Sequence, residues 1–210
     1  MGHVGQDSDF GKAIAATVGQ YFIKTICEVG AWNGEGTTAC IYDGFRGDKK
    51  QLYSIEGDPE MYAQAARKWN GVPGVQLMHG TLHRNIMSRD EVLAHPLFPK
   101  IRNHYNIWYD TEERACKTAP IVQVPKCDCI LLDGGEFSTQ GDWNVLSHPD
   151  LKAVILDDVS VIKTSGIYAM LSASNDWVCT FISYERNGSA IFRKKNIPTY
   201  SRVFRLPYNV

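Results

Sequence analysis

Short apolar runs alternate with helical segments through brief glycine-bearing joints along most of this chain, and that alternation limits the folds open to it. "TICEV" (25–29), "QLYSIE" (51–56), "VQLMH" (75–79), "CDCILLD" (127–133) and "KAVILD" (152–157) have the length and residue types of buried strands. Between the earlier ones lie helical stretches, "GTTACIYDGF" (36–45) and "DPEMYAQAARKW" (58–69), and "FGKAIAATVGQYF" (10–22) precedes the first. Asp58 as N-cap with Pro59 at the first helical position is a strong helix start. Strand, helix, strand in repetition predicts a parallel sheet covered on both faces. The C-terminal part changes character: "WVCTFISYE" (177–185), then Arg186, Asn187-Gly188 and "SAIFRKK" (189–195) predicts an antiparallel hairpin turning on the Asn-Gly pair. The expectation is a doubly wound α/β sheet of seven strands, mostly parallel, ending in that hairpin. A 210-residue chain that is 44% hydrophobic can bury one good core, so residues 1–210 read as a single domain.

One stretch, 81–126, fits no simple unit. Ser88 and Glu91 stand at capping-box spacing before a short helix. A connection this long is usually functional, and Tyr105, Trp108 and Tyr109 favour an ordered surface. The expectation is an insert bordering the ligand site, its aromatic rings stacking on a ligand and Glu112 and Glu113 accepting hydrogen bonds from it.

A formal net charge of -1 supplies no basic field for nucleic acid or an anionic membrane. No apolar run approaches the roughly 20 residues of a membrane span, and the first residues lack the pattern of a signal peptide. A cytoplasmic location is expected, and a domain cut from a longer enzyme is the alternative left open. Of the six cysteines, four lie in apolar stretches and none form C-x-x-C, which suits reduced core thiols. His79 and His83 straddle a strand end and a Gly80 turn, a spacing better suited to a surface or supporting role than to a metal pair.

The joint after the first strand, "EVGAWNGEGTT" (28–38), has glycines at 30, 34 and 36. That is G-x-x-x-G-x-G, and not the G-x-G-x-x-G of a pyrophosphate cradle. Glu28 beside it can meet a ligand ammonium or structural backbone donors. Glu56 ends the second strand, a position from which an acid takes both hydroxyls of a ribose. An adenosine-bearing ligand without a phosphate is implied. Further on, two apolar runs stop on carboxylates, Asp133 in one and Asp157 with Asp158 in the other. The pair is able to cap a helix starting near Ser160 and Asp133 to fix the Gly134-Gly135 turn; a cation or a proton is the functional alternative.

"ICEVGAWNGEGTTA", "YSIEGDPEMYAQAARKW", "VQLMHGT", "CILLDGG" and "VILDDV" occur in the order and spacing of class I S-adenosylmethionine-dependent methyltransferases. The chain resembles that family over roughly residues 10 to 193, most of all its catechol and macrocin (sugar) O-methyltransferase branches. The resemblance implies a Rossmann-like sheet with a reversed last strand and S-adenosyl-L-methionine as cofactor. On this likeness Gly30, Trp32, Gly34 and Gly36, with Glu28 and Asp133 beside them, hold the methionine part. Glu56 holds the ribose, and Gly80, Thr81 and Leu82 lie near the adenine. In the metal-dependent branches the acids after the fourth and fifth strands bind a divalent cation, which makes Asp133, Asp157 and Asp158 the implied ligands of Mg²⁺ or Mn²⁺; an all-oxygen set suits such ions.

This chain departs from the catechol pattern. It has Glu136 where that type has a lysine base three residues past the aspartate, and Asp-Asp where that type has Asp-Asn, which is closer to the sugar-methylating type. Asp133, Glu136 and Asp158 are therefore the expected catalytic groups, and a hydroxyl of a sugar or glycan the expected acceptor. A phenolic or other small natural product is the alternative acceptor, and a non-catalytic nucleotide-binding module the alternative of another class.

Overall fold

In the computed structural model, which describes residues 4–197, every strand read from the sequence is present. The order is α1 (Asp9–Val18), β1 (Thr25–Val29), α2 (Thr37–Asp43), β2 (Gln51–Glu56), α3 (Pro59–Trp69) and β3 (Val75–His79). Next come α4 (Arg89–Ala94), α5 (Phe98–Ile101) and α6 (Tyr105–Thr118), then β4 (Cys129–Leu132), α7 (Thr139–Leu146), β5 (Ala153–Asp157), α8 (Ile162–Ala173), β6 (Trp177–Ser183) and β7 (Ser189–Lys194). The sheet runs β3-β2-β1-β4-β5-β7-β6. The first five strands of that order are parallel, and β7 lies antiparallel to both β5 and β6. Both ends of the expected 1–210 domain lie outside the described residues.

Strand alternation sorts the core onto two faces. Cys27, Ile130, Leu132, Val154 and Leu156 pack on one side with α7 and α8 residues such as Leu146, Ile167 and Leu171. Ile26, Cys129, Leu131, Ala153 and Ile155 pack on the other with Ile14, Val18, Cys40 and Ile41 of α1 and α2. Complete burial of β4 and β5 places them at the centre, so their C-terminal ends open onto the middle of one sheet edge. β4 is shorter than "CDCILLD" because Asp128 leaves the strand: its carboxylate accepts the Lys24 and Thr25 N–H groups at 2.7 and 3.1 Å and pairs with Lys152. Asp58 caps α3 through Glu60 and Met61, and Ser88 with Glu91 closes a full capping box on α4. The cysteines are free thiols, five buried and Cys179 exposed. No helix among the described residues is long and apolar enough to cross a membrane.

The hairpin is real, but its turn is not the two-residue Asn-Gly turn. Ser183 pairs with Ser189, leaving a loop of residues 184–188, and the left-handed residues are Arg186 (φ 56°) and Gly188 (φ 78°), not Asn187. The reason is tertiary. The Asn187 and Gly188 carbonyls accept the Ser160 and Val159 N–H groups at 2.8 and 3.0 Å, drawing the loop over the end of β5.

Candidate functional site

A cavity of about 740 Å³ opens where the C-terminal ends of β1, β2, β4 and β5 meet, the place where an open α/β sheet takes its ligand. Its wall includes Gly30 and Trp32 after β1, Gly36 at the start of α2, Glu56 and Asp58 at the tip of β2, and Gly80 and Thr81 after β3. Opposite stand Asp133 and Glu136 after β4, Asp158 after β5, Lys163 at the start of α8, and Arg186 and Asn187 from the hairpin loop. Trp108, Thr111, Ala115 and Cys116 of α6 complete it.

Four of the sequence-derived site residues do not line this cavity: Glu28, Gly34, Leu82 and Asp157. Glu28 is wholly buried, and its oxygens accept from the hydroxyls of Thr37 (2.6 Å), Thr38 (2.7 Å) and Ser54 (2.5 Å). Those donors are side chains, neither a ligand ammonium nor backbone, and they tie β1 to β2 and α2. Burial drives this carboxyl up to about 7 against the pull of the three hydroxyls. Gly34 has φ 77° and its carbonyl receives the Trp69 indole N–H at 2.8 Å; a Cβ there would strike that ring. Leu82 belongs to the core. Gly30 lines the cavity, yet its φ of 92° also serves contact within the protein, because a Cβ would run into the Asp133 carbonyl.

Glu56 lines the cavity and is held by two backbone donors. One oxygen takes the Trp32 N–H at 2.7 Å and the other the Asp58 N–H at 2.8 Å. Each carboxylate oxygen retains a second lone pair. Burial raises this carboxyl above its ordinary value, and the two backbone donors oppose the shift. Trp32 itself sits at φ 47°, a conformation that costs a non-glycine residue about 1 kcal/mol or more. The buried Thr81 hydroxyl, which also lines the cavity, has no hydrogen-bond partner among the described residues. His83 lines the cavity, lies 3.1 Å from Asp142 and accepts the Asn85 N–H on Nδ1.

The second half of the cavity is a charge cluster. Oxygens of Asp133, Asp157 and Asp158 lie within 4.8 Å of one another, close enough to share one cation. The cation that stands there is the Lys163 ammonium, 2.8 Å from Asp133 Oδ1 and 2.6 Å from Asp158 Oδ2. Asp158 reaches it from a left-handed backbone, φ 59°. Arg186 lies 3.7 Å from Asp157 Oδ2. Burial raises Asp133, opposed by Lys163. Asp157 goes up to about 7, through burial first and then the charges of Asp133 and Asp158. Burial also pushes Asp158 up, but Lys163 and the Asn187 side chain outweigh it and hold Asp158 below its ordinary value. Glu136 accepts the Lys163 N–H at 3.1 Å and is raised to about 7, chiefly by burial. Neither Asp157 nor Asp158 caps α8, which starts after Val161 with no side-chain cap, and the Asp133 carboxylate turns to Lys163 and not to the Gly134-Gly135 turn. A divalent ion on the same oxygens would have to displace this ammonium, since two cations would otherwise be forced together in a buried space.

The insert forms a small core of its own. Tyr105 and Tyr109 are buried with Val92, Ile101 and Phe137, which removes both rings from stacking on a ligand. Glu112 is spent on the Phe137 and Ser138 N–H groups, at 2.6 to 3.1 Å, and Glu113 pairs with Lys117 at 3.0 Å. Of the residues expected to meet an acceptor, only Trp108 and Glu112 line the cavity, and Glu112 does so with its oxygens occupied. Sequence reasoning missed Lys163, Arg186 and Asn187. The one available signal was a lysine in the first turn of a helix, where the macrodipole favours acids.

No protein-family model matches the chain, and a search of curated proteins gives no match. Solved structures do match. The O-methyltransferase from Bacillus cereus in complex with S-adenosylhomocysteine superposes with a TM-score of 0.55 at 16% identity, over 88% of this chain and 80% of that one. The S-adenosylhomocysteine-bound methyltransferase PaMTH1 of Podospora anserina gives 0.54 at 15% identity, over 89% and 78%. The O-methyltransferase TomG of Streptomyces achromogenes, involved in tomaymycin synthesis and solved with S-adenosylmethionine, gives 0.52 at 16% identity, over 88% and 78%. Together with the strand order and reversed β7, these likenesses establish the class I methyltransferase fold.

Proposed function

We propose that this chain is an S-adenosylmethionine-dependent O-methyltransferase acting on a hydroxyl of a small, ring-bearing acceptor. The observation that carries it is the cavity's division into two chemically distinct halves at the switch point of the sheet. On one side Glu56, the Gly30–Trp32 turn and the unpartnered Thr81 hydroxyl suit a ribose and an adenine. On the other, carboxylates and an ammonium surround the place where a second molecule would lie. The named activities of the structural neighbours agree with this reading.

When bound, S-adenosylmethionine supplies an electrophilic methyl group on a sulfonium. The chain's own residues then have three tasks. Glu56 receives the ribose diol on its free lone pairs. Trp108 and the small side chains of α6 offer a mainly apolar wall for the acceptor ring and exclude water. Glu136, its carboxyl near 7, is poised to take the acceptor's hydroxyl proton as the new oxygen–methyl bond forms. Asp133 and Asp158 are engaged with Lys163, so they serve as positioning groups for its charge. Mg²⁺ or Mn²⁺ on the aspartates would require Lys163 to withdraw, and no step here depends on one.

A sugar or glycan hydroxyl is the acceptor class the Asp-Asp pair favours, although its support from the insert is reduced to Trp108. Methyl transfer from labelled S-adenosylmethionine to a panel of sugars, phenols and catechols tests the reading. Saturable S-adenosylhomocysteine binding with labelling of a sugar hydroxyl is expected. Labelling of phenols alone would assign the alternative acceptor, and binding without any transfer the non-catalytic module.

A further inference from the structure

We propose that Lys163 is the resident cation of this site, an ammonium tethered to α8 that takes the place of a divalent metal between Asp133 and Asp158 and turns its remaining N–H toward the acceptor oxygen. The last clause rests on the methyltransferase reading; the first stands on geometry alone.

Several observations converge on it. Lys163 is the second residue of α8, a helix with no acid in its first turn, so its charge sits at the end where the macrodipole opposes it. A lysine retained against that local preference is held by something stronger. Its side chain is 10% exposed, and its Nζ contacts Asp133 and Asp158 at 2.8 and 2.6 Å. Both carboxylates come from the tips of the two central strands, and the Lys163 peptide N–H is fixed by Glu136. The two connections after β4 and β5 therefore converge on one residue of α8. An ammonium has three N–H donors. Two meet the aspartates, and because Lys163 lines the cavity the third is left for whatever occupies it. Mg²⁺ or Mn²⁺ requires oxygens at roughly 2.0 to 2.2 Å, so an ion on these two oxygens would share its space with Nζ. The cluster nonetheless retains acceptor capacity, since among the described residues Asp157 Oδ2 has no hydrogen-bond partner and only the longer contact with Arg186 at 3.7 Å. These are the features of a cation site whose cation is supplied by the chain.

Mn²⁺ titration followed by electron paramagnetic resonance tests this on the intact chain, with S-adenosylhomocysteine calorimetry run on the same samples. The wild-type chain is expected to show no saturable Mn²⁺ binding, and chelator should leave its methyl transfer unchanged. Lys163→Ala opens the carboxylates, and should bind one Mn²⁺ saturably where the wild type binds none; the further change Asp133→Asn should remove that binding. Stoichiometric Mn²⁺ binding by the wild type, lost in Asp133→Asn, overturns the proposal, and this arm needs no Lys163 variant to fold. Failure of a folded Lys163→Ala chain to gain Mn²⁺ overturns it too, because the aspartates would then be no cation site. Loss of S-adenosylhomocysteine binding in the wild type would instead sink the methyltransferase reading and leave the Mn²⁺ result standing.

Discussion

The strands on the two sides of the cavity satisfy their buried carboxylates in opposite ways. Around β1 and β2, Glu28 and Glu56 are met by neutral donors: three hydroxyls for the first and two backbone N–H groups for the second. Around β4 and β5, Asp133, Asp157 and Asp158 are met mainly by full charges, Lys163 and Arg186. Neutral donors fix a carboxylate without cancelling its charge, which suits recognition of a diol. Opposed charges in a buried cluster hold a local field, which suits a site where charge develops on a reacting oxygen. On the proposed function, the first half binds the cofactor and the second holds the reacting groups.

Removing Lys163 should break the second half outright. Lys163→Met leaves buried carboxylates uncompensated, so a loss of about 3 kcal/mol in urea unfolding is expected, together with loss of methyl transfer. Stability and turnover close to wild type would make the ion pairs incidental. Glu56→Ala should damage only the first half: the S-adenosylhomocysteine Kd should rise about tenfold or more with little change in unfolding, since a ribose diol loses hydrogen bonds of about 1.5 to 3 kcal/mol each. An unchanged Kd would remove Glu56 from the ligand.

pH separates the halves further. Glu136 must be ionised to accept a proton, so kcat/KM should climb as pH passes about 7. Glu136→Gln should lower the plateau and abolish that limb; a limb that survives belongs to another group. Glu28 has the same raised value but acts on stability alone. Its carboxyl is protonated more readily folded than unfolded, so its contribution is greatest below about 4.5 and declines as pH rises to about 7. Glu28→Gln should flatten part of that decline and leave S-adenosylhomocysteine affinity within a few-fold. The smallest effect is expected from Trp108→Ala: a rise of a few-fold in acceptor KM with cofactor affinity unchanged, as fits one face of an apolar wall. A loss of cofactor affinity instead would move Trp108 into the first half.

Legibility in the sequence followed the same division. Apolar runs are written locally, so β1, β2 and β3 stand at their predicted residues, and the Asp58 and Ser88 caps follow from neighbouring positions. Residues whose partners lie far along the chain were not legible. Glu28 looked like a ligand group because Ser54, 26 positions away, is invisible from "EVGAW". Lys163 pairs with Asp133 across 30 positions. The hairpin loop was displaced from its local turn preference by β5, and Tyr105 and Tyr109 were claimed by the insert's core instead of the cavity. Local rules located the acids, and only the assembled fold showed which of them were already occupied.

Calorimetric titration of S-adenosylhomocysteine into the wild-type chain and into Glu56→Ala tests the central claim most directly. One saturable site in the wild type, weakened about tenfold or more in Glu56→Ala, is the predicted result. A wild-type chain that takes up no S-adenosylhomocysteine, or binds it equally well without the Glu56 carboxylate, would contradict the account.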